Sequence, residues 1–157
     1  MIRILNTASR NTLATIVAGT VGLTAVMPAG AADSLTVTVN ANVIGVCKFF
    51  NGPYSITIAN SGTDIDPSLS TTATGTANIE YRCSNGQNPT FSLPASVTLT
   101  GAGSMDATIT YTGGGAGTGM GAGQAKTLAV TGTIAEADFQ NKSVGAYSNT
   151  ITVSISP

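Results

Sequence analysis

The sequence contains no histidine and no tryptophan, and only 8% of its 157 residues are charged. Without histidine, the commonest general base at neutral pH and the commonest metal ligand are both missing. So low a charge content is far below the quarter usual for a soluble domain and leaves little protection against association. It suits a protein packed among copies of itself. Beyond the N-terminal leader the basic residues are Lys48, Arg82, Lys126 and Lys142, against seven carboxylates, which excludes a grip on nucleic acid. No cofactor, metal or small-molecule substrate is expected, and an enzyme is the least favoured reading.

The N-terminus is laid out as a secretory signal over residues 1–31. Arg3 and Arg10 form the positive end, Leu13 to Met27 the apolar run, and Ala29-Gly30-Ala31 a small-x-small cleavage site after Pro28. The run is interrupted by Gly19 and Gly22 and falls short of the roughly 20 residues that span a bilayer. Export is therefore expected, with cleavage after Ala31 leaving one ordinary domain.

Cys47 and Cys83 are the only cysteines. In an oxidising compartment an isolated pair is expected to form one bridge, the alternative being two buried thiols. A bridge also removes the thiolates that nucleophilic or metal chemistry would need.

The strongest pattern along the rest of the chain is alternation of apolar and polar residues, the period of a half-buried strand. Leu35, Val37, Val39, Ala41 and Val43 share one parity with threonines and asparagines between them, and Tyr147, Ile151, Val153 and Ile155 repeat the pattern before Pro157. Shorter runs lie between: Tyr54 to Ile58, Ala77 to Cys83, Phe91 with Leu93, Val97 with Leu99, Ala107 to Tyr111, and Leu128 to Ile134. Turn clusters such as Asn51-Gly52-Pro53 and Ser84-Asn85-Gly86 punctuate them. No window has a helical repeat with caps, so an all-β antiparallel sandwich is expected.

Other motifs have plain explanations. The glycine-rich stretch Gly113 to Gly123 lacks the lysine and hydroxyl ending of a phosphate loop and reads as an exposed hairpin tip. Asp64 and Asp66 lack the glycine and closing glutamate of a calcium loop and read as a solvated turn before Pro67. Asp106, Glu136 and Asp138 are expected near turns or strand ends, where they would pair only by chance of folding. Asn141-Lys142-Ser143 fits the glycosylation pattern but is read as a turn. Tyr111 and Tyr147 fall in phase with core positions of their strands.

Three stretches together resemble the spore coat protein U-like domain family, the pilins of archaic chaperone-usher pili. They are Val43-Ile44-Gly45-Val46-Cys47, Thr74-Gly75-Thr76-Ala77-Asn78-Ile79-Glu80-Tyr81-Arg82-Cys83, and the closing run from Val144 to Ile155. The resemblance implies an incomplete immunoglobulin-like antiparallel β-sandwich completed by a donated N-terminal strand. It divides the exported chain into an extension, 32–46, and a sandwich domain, 47–157. It also implies partners: identical or related pilin subunits, a periplasmic chaperone and an outer-membrane usher, with the product on the cell surface serving adhesion and biofilm formation. The glycine-rich stretch and the short turn after Cys47 depart from the pattern and leave loop lengths open.

On this reading Leu35, Val37, Val39, Ala41 and Val43 enter a neighbour's groove, which is β-strand addition. Because the last run ends at Pro157, no later strand of the same chain is expected at that edge. The competing arrangement is an ordinary first strand folded back at Gly45 within its own subunit. Two other functions are compatible with the sequence: a tip adhesin, and a coat or extracellular matrix protein.

Overall fold

The computed structural model describes residues 33–157, and the expected leader over 1–31 lies outside them. The chain divides into two compact units, 1–40 and 41–157. Of the first unit only residues 33–40 are described; they form no regular element, and Leu35, Val37 and Val39 are exposed.

The second unit is nearly all β. Strands β1 (Cys47–Phe50), β2 (Ala73–Cys83), β4 (Ser96–Gly101), β5 (Ser104–Gly113), β6 (Lys126–Ile134) and β7 (Tyr147–Ser148) form one curled sheet in the order β1-β2-β6-β5-β4-β7. Strands β3 (Thr90–Ser92) and β8 (Ser154–Ser156) form a separate pair. Every ladder among the described residues is antiparallel.

The alternation read from the sequence sets which face is buried. In β2, Ala73, Ala77, Ile79, Tyr81 and Cys83 point inward, and β5 and β6 add Met105, Ala107, Ile109, Leu128, Val130 and Ile134. The opposite face is hydroxyl-rich: Thr76 lies across from Thr131, their side-chain oxygens 2.9 Å apart. The core falls into two clusters. One surrounds Tyr81, Cys83 and Leu128; the other gathers Ala73, Met105, Ile134 and Phe139. Phe139 comes from a single helical turn, α1 (Glu136–Phe139), too short to leave a periodic signature in the sequence.

The cysteine expectation is met by a Cys47–Cys83 disulfide joining the first register pair of β1 and β2. Such a bond fits an oxidising compartment, extracellular or periplasmic. Asp106 lies near the start of β5, just after the turn from β4, where its carboxylate accepts the Thr98 hydroxyl across the ladder at 2.5 Å.

The glycine-rich stretch does connect β5 to β6, but it is not a free tip. The Gly117 amide donates to the Gln87 carbonyl at 2.7 Å, the Gly119 amide to Cys83 at 3.0 Å, and the Tyr81 hydroxyl to Gly115 at 3.0 Å. Burial pushes the Tyr81 hydroxyl's pKa up. Gly117 itself is buried, and a Cβ there would stand 2.5 Å from Cys83 Cβ and from two carbonyl oxygens. Glycine is used for close backbone approach, so the loop closes over the bridged end of the sheet.

Gly75 and Gly132 are opposed across β2 and β6 on the inner face. A Cβ on Gly75 would run into the Thr57 carbonyl, and one on Gly132 would lie 2.8 Å from Ile58 Cδ1. The pair forms a bare strip on which residues 56–58 lie. Gly75→Val is expected to lift that segment and to cost about 1–3 kcal/mol, the usual range for overpacking. Denaturant unfolding measures it; an unchanged midpoint would show that the strip is not a seat.

Candidate functional site

Three stretches have the alternation of a strand yet belong to no ladder among the described residues: 35–43, 54–58 and 149–153. The last two border a common feature. Between them opens a groove of about 1160 Å³, running from Phe49 at one end to Phe139 and Tyr147 at the other. Its floor is the inner face of the large sheet, where Ala77, Ile79, Ile109, Val130 and Ile134 are buried. Ile56 and Ile58 form one wall and Ile151 and Val153 the other, all partly buried.

Local chemistry explains why the walls are extended but unpaired. Residues 54–58 are held from below by the glycine strip and at their two ends. The Tyr54 hydroxyl donates to the Phe50 carbonyl at 2.5 Å and accepts the Glu80 amide at 3.0 Å, and the Ala59 and Thr74 amides and carbonyls exchange bonds of 3.1 and 2.9 Å. The other wall is anchored by β7 on β4 and by β8 on β3, with the Asn149 side chain donating to the Thr98 carbonyl at 2.7 Å. Between those anchors, residues 54–58 and 151–153 make no backbone-to-backbone hydrogen bond with any described residue. Backbone groups left so beside an apolar floor are the template for an added strand.

No family model, curated protein or solved structure matches this chain. The groove is therefore read from its own chemistry.

Its floor and facing wall side chains are aliphatic and aromatic, while its rim carries hydroxyl and amide side chains together with Asp64 and Lys142. Among the described residues no group of three or more histidines, cysteines, aspartates or glutamates is close enough to hold a metal. Asp66 accepts both the amide and the hydroxyl of Ser68, at 2.9 and 2.7 Å, which holds its carboxyl below the usual range and marks a local turn. What the arrangement can do is bury an extended apolar segment and satisfy its backbone on two sides.

The residues expected to act lie on the extension. Leu35, Val37, Val39 and Val43 are 73–89% exposed, and Ala41 is exposed as well. Nearer the bridge, the Val46 amide donates to Ser84 Oγ at 3.1 Å and the Ser84 amide to the Val46 carbonyl at 2.8 Å, so the chain continues the line of β1. Gly45 is not among the residues with positive φ, and Ala41–Val46 form no ladder among the described residues. The sequence reading invoked a groove but did not assign its lining, which comes from segments scattered between Phe49 and Val153. The available signal was the bare glycine pair, Gly75 and Gly132.

Proposed function

We propose that this chain is a structural subunit of a bacterial surface pilus, polymerised by donation of Leu35–Val43 into the groove of the next copy. The single observation that carries the reading is a pairing of opposites. An apolar groove with two unladdered walls occurs in the same chain as an alternating apolar run that is fully exposed. Completed by that run, the large sheet and the β3–β8 layer would make an immunoglobulin-like sandwich.

The magnitudes support a stable polymer. Burying Leu35, Val37, Val39 and Val43 stabilises by roughly 1.5–3 kcal/mol each, and Ala41 adds less. Each strand hydrogen bond contributes on the order of 0.5–1.5 kcal/mol net, offset in part by the entropy of ordering the extension. The sum is comparable to the stability of an ordinary domain. Before assembly the same surfaces are an aggregation hazard, which gives a periplasmic chaperone its task and an outer-membrane usher its substrate. The resulting fibre would serve adhesion and biofilm formation, without catalysis.

Electron microscopy of the producing cells, with mass spectrometry of sheared surface material, tests the reading. Filaments whose repeating subunit is this chain are expected. Its recovery only from a shapeless extracellular layer would favour a coat or matrix protein, and a single copy per filament would favour a tip adhesin.

A further inference from the structure

The charges of the second unit are sorted by end. Where β2 finishes and β6 starts, next to the disulfide, lie Lys48, Arg82 and Lys126, with Glu80 as the one carboxylate in the same stretch of sheet. Lys48 is exposed and opposes Arg82 across the ladder. Arg82 has its guanidinium carbon 4.4 Å from the Phe50 ring centre, and its Nε, buried, has no hydrogen-bond partner among the described residues.

The opposite end is acidic. Asp64 and Asp66 lie in the turn beyond the Ala59–Thr74 bridge, Asp106 lies in β5 just past the Thr108–Thr133 pair, and Glu136 and Asp138 lie in α1 after β6. Ile65, Met105, Ile134 and Phe139 pack in one cluster, which brings these segments to the same pole. Lys142 is the only basic residue there.

We infer that successive subunits meet basic pole to acidic pole, the partner being a second copy of this chain; this rests on the strand-donation reading. The extension joins the domain at Cys47, on the basic pole. A strand filling the groove can enter from either end, and charge decides between them. With the donor's body at the acceptor's acidic end, Lys48, Arg82 and Lys126 face Asp64, Glu136 and Asp138. The reverse entry sets basic pole against basic pole, which costs binding energy and slows encounter. The favoured entry lays the donated strand antiparallel to 149–153, which runs from Tyr147 at the acidic end to Ile155 at the basic end. It lays the same strand parallel to 54–58, which runs from beside Glu80 toward the Ala59–Thr74 bridge. The reverse entry exchanges the two, so strand sense is neutral and charge decides.

Opposed charges at the joint steer association and are screened by salt. The test follows filament growth of the full chain after leader removal by light scattering. The wild-type growth rate is expected to fall about tenfold between about 20 mM and about 500 mM salt. Lys48→Glu with Lys126→Glu, or Glu136→Lys with Asp138→Lys, should slow growth at low salt by a similar factor, and the variant carrying all four changes should recover it. Equal rates for all of these, or a four-fold variant as slow as either reversal, would overturn the joint while leaving strand donation standing. Undiminished growth of Val39→Asp would instead sink the strand reading itself.

Discussion

Val39→Asp is expected to leave export intact and to abolish filaments. Val39 is the middle residue of the five alternating apolar positions and is 86% exposed in the single chain, so the substitution disturbs nothing in the folded domain. Its cost falls only when the strand enters the groove, whose floor is Ile79, Ile109 and Val130. There an aspartate would lose its water without gaining a cation, a penalty of several kcal/mol that adds to the lost burial of the valine. The measurement is a paired one. The amount of chain exported and its unfolding midpoint should match the wild type, while electron micrographs show bare cells. Normal filaments from this variant would mean that position 39 never becomes buried.

Removing the bridge is the second change of large expected effect, and it acts on the domain rather than the joint. Cys47 and Cys83 are 36 residues apart, and closing a loop of that size contributes roughly 3–4 kcal/mol on the chain-entropy account. β1 is only four residues long and lies at the edge of the sheet, so it has few other ties. In Cys47→Ser/Cys83→Ser, the denaturant midpoint should drop by an amount corresponding to that range. The loop from Gly115 to Gly119, which bonds to Cys83, Gln87 and Tyr81, should become sensitive to protease. A double variant with the wild-type midpoint would show that the β1–β2 ladder alone fixes this edge.

The sequence made the large sheet readable because β2, β5 and β6 each bury one parity, and period 2 survives in a single chain read without its neighbours. The same signal announced 35–43, 54–58 and 149–153, yet alternation reports which face wants burial and says nothing about whether a partner strand exists. Absence of a partner is a property of the assembled sheet. Gly113 to Gly123 was illegible for a different reason: its packing runs through backbone amides and carbonyls, which every residue type carries. α1 offers one turn and a single buried side chain, Phe139, below the length at which helical period can be seen. For the candidate site, the alternation of 35–43 could be read from the sequence and the lining of the groove could not, since its walls and floor are assembled from segments far apart in the chain.

The position of the disulfide has a mechanical consequence. If the chain polymerises as proposed, tension on one subunit of a filament under flow would arrive along its extension at Val46 and Cys47. The first strand it meets is short and peripheral, poorly suited to resist peeling. The covalent link passes the pull at once to Cys83 and so into β2, the longest strand, which shares nine register pairs with β6. Force is thereby applied to many hydrogen bonds in shear, not to a few broken in succession, and the small first strand is spared the load it stands nearest to.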